Sequence, residues 1–406
     1  MQKSVLDGYT VIDMSEVYQA PLAAQVLGDF GAQVIKVERP GIGDVMRNMD
    51  AHARERNLVS CYFASANRNK MSICIDVKNA RGREILMKLI GKADVLIHNY
   101  RPGVMERLSL GYDDLRKVNG RLVYAVATGF GEDGPIASRP AQDMIAQTIS
   151  GIAMAGVEDG EPPRIMGSAA IDFSSGMILV QGILLALLER ERSGKGQKVH
   201  ACLFDTAMAV QSAEAASILM YDYETNWHRR GLSFVVRTKD GWVTILGFFR
   251  PNPLRLFCAA LGLEDLSQKP QYASIEQQIA HKDELQALIG REASQYTTAE
   301  CVARFEQQDV ICAPALTLKD ALAHPQVAHN KMIAEMEIRD QGPIRLVGSP
   351  LKLSRTGPQI RRGPPVLGAD AAEVLDILGY SRAEMQALAA EGALGADAKT
   401  RADTSA

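Results

Sequence analysis

The chain predicts an α/β fold: a large domain built on a parallel sheet, with a smaller domain inserted into it. Three observations carry that expectation. Short apolar strands alternate with helical patterns over the first 130 residues, the composition changes near residue 225, and the chain then returns to the large domain for a last helix at Ala371–Leu378. Its 406 residues also exceed what one hydrophobic core usually serves, so two domains are expected.

The first strand is Val11–Met14, and a helical pattern follows at Pro21–Phe30. Val34–Val37 and Met71–Val77 are the next strands. A helix with charged outer positions spans Ala80–Lys92, Val95–His98 is a short buried strand, and Leu122–Ala127 is one more. Such alternation implies a parallel sheet covered on both faces. Ligands on these sheets bind beyond the carboxyl ends of the strands. The residues at those ends are Ser15, Glu38-Arg39, Asn99-Tyr100-Arg101 and Thr128-Gly129-Phe130, which are polar, cationic or glycine-rich. They suit a phosphorylated ligand, because the paired donors of a guanidinium match phosphate oxygens. Arg39 and Arg101 directly follow strands, and Arg47 and Arg107 lie a little further on. Gly41-Ile42-Gly43 lacks the third glycine of a dinucleotide fingerprint and reads as a turn, which argues against a nucleotide-dependent oxidoreductase.

Past residue 225, Asp240-Gly241 reads as a hairpin turn between Phe234–Thr238 and Trp242–Leu246. Helical patterns occupy Pro253–Leu261, Lys282–Glu292 and Thr298–Gln308. The expected organisation is 1–224 for the first part of the large domain, 225–325 for the small domain, 326–388 for the return, and a disordered tail at 389–406.

Composition narrows the function classes. With 47% hydrophobic and 23% charged residues the chain reads as an ordinary soluble globular protein. A net charge of −3 gives no electrostatic case for nucleic acid or a membrane surface. The six cysteines are scattered without a CxxC pair, which suits reduced thiols in the cytoplasm and excludes the usual zinc spacing. The N-terminus lacks the apolar run of a signal peptide. The most apolar stretch, Met177–Leu188, spans 12 residues, too few to cross a bilayer.

The chemistry concentrates in Arg164–Gln197, RIMGSAAIDFSSGMILVQGILLALLERERSGKGQ. A loop of small residues delivers Asp172 to the start of a long apolar helix. An acid there is a helix cap or a nucleophile. The helix dipole favours its ionised form, and an unperturbed carboxyl near ~3.9 is ionised at neutral pH, so no separate base is required. Asp143, opening another helix, reads as a second cap.

The Asp172 segment resembles the core signature of the class III CoA-transferases. Three further stretches resemble that family in its order and spacing: GDFGAQVIKVERPGIGDVMR (Gly28–Arg47), NYRPGVMERLSLGYDDL (Asn99–Leu115) and ATGFGEDGPIASRPAQDMIAQTISG (Ala127–Gly151). The likeness runs from about Leu6 to Tyr380. It implies a Rossmann-like large domain built from both termini, a small inserted domain, and a homodimer of interlocked rings. It implies Asp172 as the catalytic residue, acylated by a donor acyl-CoA and then carried through an aspartyl-CoA thioester. It implies a CoA groove along Arg39, Asn99, Tyr100, Arg101 and Arg107, and Thr128 and Phe130, from the strand ends, are expected to bind CoA with them. CoA and acyl-CoA are then substrates, with no permanently bound cofactor and no metal.

The chain departs from the transferase pattern in two places and from the related racemases in a third. In formyl-CoA transferases a glutamine of the entrance loop contacts the acyl group; here Tyr18 falls at its register and Gln19 one place later, so either faces the substrate or Gln19 points into water. A glycine run that serves as a lid in some members is reduced to Gly247. The α-methylacyl-CoA racemases have a histidine base before the counterpart of Asp143, whereas this chain has Gln142, which cannot act as a base near neutral pH. This argues against a racemase of the known type; an acyl-CoA racemase or isomerase with the same fold is kept as the alternative, and a non-catalytic CoA-binding paralogue as a further one. Backbone N–H groups near Gly167 or Gly247 are candidates for an oxyanion site. Arg164 and the Tyr18-Gln19 loop suit a second substrate carboxylate, pointing to succinyl-CoA as donor and a small dicarboxylic acid as acceptor; oxalate, carnitine-like and aromatic acceptors stay open.

Overall fold

The computed structural model of the chain describes residues 4–157, 160–225 and 231–395. Strands β1 (Thr10–Asp13), β2 (Gln33–Glu38), β3 (Lys70–Cys74), β4 (Val95–His98), β5 (Val123–Thr128) and β6 (Lys198–Cys202) form one sheet in the order β3-β2-β1-β4-β5-β6. Every neighbouring pair is parallel. Successive strand residues point to opposite faces. Ile12, Leu96 and Tyr124 therefore enter one apolar cluster, and Val11, Val95 and Ala125 the other.

The connections supply α1 (Gln19–Asp29), α2 (Ala80–Lys92), α3 (Val104–Arg107), α4 (Asp143–Ile149), α5 (Ala170–Ser193) and α6 (Leu203–Val210). Helix α2 starts where Asn79 accepts from the N–H groups of Arg81 and Gly82, and it buries Ile85, Leu86, Leu89 and Ile90 at helical spacing. Helix α5 ends at Gly194, whose φ of 72° is open to a residue without a β-carbon. The apolar run expected at 177–188 is only the middle of this helix. Its 24 residues are, by length and apolarity alone, enough to cross a membrane. Leu179, Val180, Ile183 and Leu187 instead pack with Ile97 and Ala125, and buried Arg190 pairs with Asp94 at 2.8 Å, as in a core helix.

By compactness, described residues within 1–153, 163–210 and 328–406 form one unit and those within 154–162 and 211–327 a second. The division falls before the expected residue 225 because Ala207 of α6 is the last residue of this region in a core of the first unit. The second unit begins with α7 (Ser212–Tyr221) and contains an antiparallel sheet in the order β7-β8-β9, formed by β7 (Ser233–Arg237), β8 (Trp242–Leu246) and β9 (Ile311–Pro314). Its helices α8 (Pro253–Leu261), α9 (Lys282–Ala293) and α10 (Thr298–Gln307) pack on that sheet around Phe234, Phe257 and Phe305.

The returning chain forms a hairpin, β10 (Ile333–Ile338) with β11 (Gly342–Val347), then α11 (Ala371–Ile377) and α12 (Arg382–Ala390). Val374, Leu375, Leu388 and Leu394 join the cluster that contains Ile12, Ile35 and Ile73. The tail expected from 389 is thus packed through residue 395: Ala389, Ala393 and Leu394 are buried, and Ala393 accepts from the Asp76 N–H at 3.2 Å. The rest of that expectation, 396–406, lies outside the described residues.

Candidate active site

In the order β3-β2-β1-β4-β5-β6, chain direction across the sheet reverses between β1 and β4. The connections leaving those two carboxyl ends diverge, and such a crevice is where open α/β sheets bind ligands. A cavity of about 540 Å³ opens there, lined by Tyr18, Gln19, Asn99, Tyr100, Arg101, Thr128, Arg139, Gln142 and Asp172 among others. Seven residues expected from the sequence are therefore brought together: Tyr18, Gln19, Asn99, Tyr100, Arg101, Thr128 and Asp172.

Asp172 lies in the first turn of α5, whose N-cap residue, Ala169, has no side chain able to cap. Asp143 supplies the cap from α4. Its Oδ2 accepts from the N–H groups of Ile171 at 2.7 Å and Asp172 at 2.9 Å. Its Oδ1 accepts from Gln147 Nε2, while Gln147 Oε1 accepts from the Met166 N–H at 2.9 Å. The role expected of Asp143 is thereby corrected, since it caps α5 rather than α4, and of the two readings of Asp172 the helix cap falls away, because Asp143 fills that place among the described residues. The Asp172 carboxyl is free to face the cavity. Burial, and then the nearby charge of Asp143, push it up to about 7. The helix dipole does not hold it near the ordinary value, because losing water costs the charged form more.

Helix α5 comes close to the entrance loop because of Gly176. A β-carbon there would lie 2.6 Å from the Gln19 carbonyl oxygen. One turn after Asp172, Ser175 Oγ accepts from Gln19 Nε2 at 2.5 Å, so Gln19 is buried rather than turned to water. Tyr18 precedes α1, and burial and the Asp172 charge raise its phenol. Asn99 spans the crevice, accepting from the Glu16 N–H at 2.9 Å and donating to the Glu16 carbonyl at 2.7 Å. Thr128 Oγ1 lies 2.8 Å from His200 Nε2 and accepts from the Gly131 N–H at 3.0 Å. Burial raises the Tyr100 phenol to about 12. It also drives His98, against Tyr100 and Tyr124, down to about 3, so that ring is neutral.

Other expected residues lie outside the cavity lining. Arg39 pairs with Glu16 at 3.0 Å. Arg107, exposed at the end of α3, lies over Gly103, where a β-carbon would sit 3.1 Å from its Nη1. Phe130 packs on Phe204 with ring centroids 6.3 Å apart. Arg47 is bound to Glu38 at 2.7 Å and stacked on Phe63 at 3.6 Å, so it is a packing residue rather than a phosphate ligand. Gly247 belongs to the second unit and donates its N–H to Leu232 at 2.8 Å, which removes it as an oxyanion donor. Its lack of a side chain answers to packing, since a β-carbon would meet the Leu232 carbonyl at 2.5 Å. Arg164 and Gly167 are exposed and do not line the cavity. Sequence reading missed Arg139, Ser175 and His200. Arg139 stands in an irregular loop with no periodicity, and the other two touch the site through distant partners.

A family model for CoA-transferase family III matches residues 6–371. The chain belongs to that family. Among its relatives is a succinyl-CoA:glutarate CoA-transferase of Mus musculus, 32% identical over 396 residues, covering 96% of this chain and 90% of the relative. An acetyl-CoA:oxalate CoA-transferase of Acetobacter aceti is 33% identical over 381 residues, covering 91% and 95%. The crystal structure of a CAIB/BAIF family protein from Brucella suis superposes with a TM-score of 0.84 at 28% identity, covering 93% of this chain and all of that one. The protein is a CoA-transferase, and CoA thioesters are its substrates.

Proposed function

We propose that this CoA-transferase moves CoA from succinyl-CoA to a small dicarboxylic acid through acyl intermediates on Asp172. The observation that carries the reading is the uncapped Asp172 carboxyl, facing a cavity at the sheet's crevice with Arg101 and Arg139 in its wall. The ionised carboxylate attacks the donor thioester carbonyl, and CoA leaves as the thiolate with a mixed anhydride formed on Asp172. The thiolate then attacks the aspartyl carbonyl, giving an aspartyl-CoA thioester and free succinate. The acceptor carboxylate attacks that thioester and expels the thiolate, which takes the new acyl group and returns Asp172 as carboxylate. Each step exchanges one activated acyl bond for another, so no nucleotide is consumed.

The two transferase relatives are both named for dicarboxylic acceptors, glutarate and oxalate, which supports the acceptor class. Gln142 lining the cavity offers no base beside Asp172, so nothing favours the racemase reading. The proposal includes a cytoplasmic homodimer. Leu184, Leu185 and Leu188, exposed on α5, support a partner surface. Mass spectrometry of protein quenched with succinyl-CoA is expected to find a CoA-sized adduct on the Asp172 peptide, discharged by glutarate. Asp172→Ala is expected to lose both adduct and turnover. Transfer by Asp172→Ala at the wild-type rate overturns the reading.

A further inference from the structure

The chain passes from β1 to α1 through residues 14–18, and this short turn is held by charges that never reach solvent. Lys36 Nζ lies 3.1 Å from Asp44 Oδ2 and 3.6 Å from Asp13 Oδ2, and Lys70 Nζ lies 2.7 Å from Asp13 Oδ2, with all four side chains fully buried. A buried ion network gives little net stability over apolar packing of the same volume. Lys70 also donates to Asn67 Oδ1 at 2.8 Å, and Asp44 Oδ1 also accepts from the Met46 N–H at 3.0 Å, capping the turn at Val45–Arg47; the other hydrogen bonds reach the loop before α1 and the first turn of that helix. Lys36 donates to the Ser15 carbonyl at 2.7 Å, Lys70 to the Pro21 carbonyl at 2.8 Å, and Asp13 accepts from the Ser15 N–H at 2.9 Å. Asp44 Oδ1 accepts from the Val17 N–H at 3.1 Å. Val17 itself has a φ of 74°, a left-handed conformation that a β-branched residue adopts only when its surroundings impose it. Next in the chain is Tyr18, which lines the cavity with Asp172, and then Gln19, bonded to Ser175 on α5.

We propose that Asp44, anchored by Lys36, is a positioning residue: it holds Val17 left-handed so that Tyr18 is presented to the cavity that contains Asp172. The proposal rests on Asp172 as the reacting group. Without the Asp44 acceptor, Val17 relaxes toward the extended region and Tyr18 turns with it. A group displaced by about 1 Å from its working position costs on the order of 10- to 100-fold in turnover.

Steady-state transfer by purified Asp44→Ala tests this, with melting temperature measured alongside. The expected result is kcat lowered about 10-fold or more with the KM for the acyl-CoA within about 3-fold. Adding Val17→Gly is expected to restore at least about 5-fold, because glycine adopts a positive φ without help. A purely structural Asp44 would lower the melting temperature and would not be rescued by glycine. Should Asp44→Ala fail to fold, the pair Lys36→Met with Asp44→Leu removes the same acceptor without stranding a charge, and hydrogen exchange over residues 14–21 must rise in it. Wild-type kcat in a folded Asp44 variant, or a loss that Val17→Gly does not relieve, overturns the proposal. Adduct formation on wild-type Asp172 is followed in parallel. Its absence while transfer continues refutes the reacting group, and the kcat comparison still judges the positioning.

Discussion

With its carboxyl raised to about 7, Asp172 would supply the nucleophilic form required by the proposed mechanism in a fraction that falls as pH drops through that value. In free enzyme the reacting form disappears as pH falls, so kcat/KM for the acyl-CoA should decline on the acid side with an apparent pKa near 7. Removing the neighbouring charge with Asp143→Asn, whose amide oxygen still accepts from the two α5 N–H groups, should move that acid limb to lower pH. A pH–rate profile of both proteins checks it, and an unmoved limb would remove Asp143 as a cause. The linkage has a definite sign. Folded Asp172 holds its proton up to about 7 and the unfolded carboxyl releases it near 3.8, so this group's contribution to stability falls as pH rises between the two. The position of Asp172 was legible from small residues running into an apolar helix. Its protonation was not, because that depends on burial and on Asp143, 29 residues away in sequence.

Helix α5 depends on two absences, a side-chain cap at Ala169 and a β-carbon at Gly176. Gly176→Ala places a methyl 2.6 Å from the Gln19 carbonyl, and backbone atoms there cannot move aside cheaply. The variant is expected to lose about 1–3 kcal/mol of stability, the usual cost of overpacking. It should also lose about 10-fold or more in kcat as Asp172 shifts from the entrance loop. Thermal melts and steady-state kinetics measure both, and wild-type values in each would show that α5 and α1 have room to spare. The legibility of elements follows their burial. Central strands such as Val95–His98 were read with their observed ends, since both faces are apolar. Edge strand β6, with Lys198 and His200 exposed, lacks that signature. The β10–β11 hairpin, with Glu335, Glu337 and Arg345 in its strands, gave no apolar run to find.

The large unit is assembled from chain segments far apart in sequence, and its first apolar cluster is completed only by α11, α12 and Leu394. Truncation after Gly368 would uncover Ile73, Ile85 and Leu89, fully buried in the intact chain. The truncated chain is expected to be insoluble or to bind a dye specific for exposed apolar surface, and a monodisperse product with an unchanged melting temperature would refute this. The parallel sheet and the inserted unit were legible from alternation and composition. The closing role of residues 389–394 was not, because an Ala/Gly-rich segment has no pattern of its own and gains one only against the sheet. This closure also has a consequence for biosynthesis. The last sheet strand ends at Cys202 and the covering helix begins at Ala371. At typical elongation rates a ribosome needs roughly ten to thirty seconds to make the stretch between them. For that interval one face of the nascent sheet is covered by α2 but lacks α11, α12 and Leu394, so the chain can finish folding only after almost all of it has been made, and a stalled ribosome would display a sticky, unfinished product.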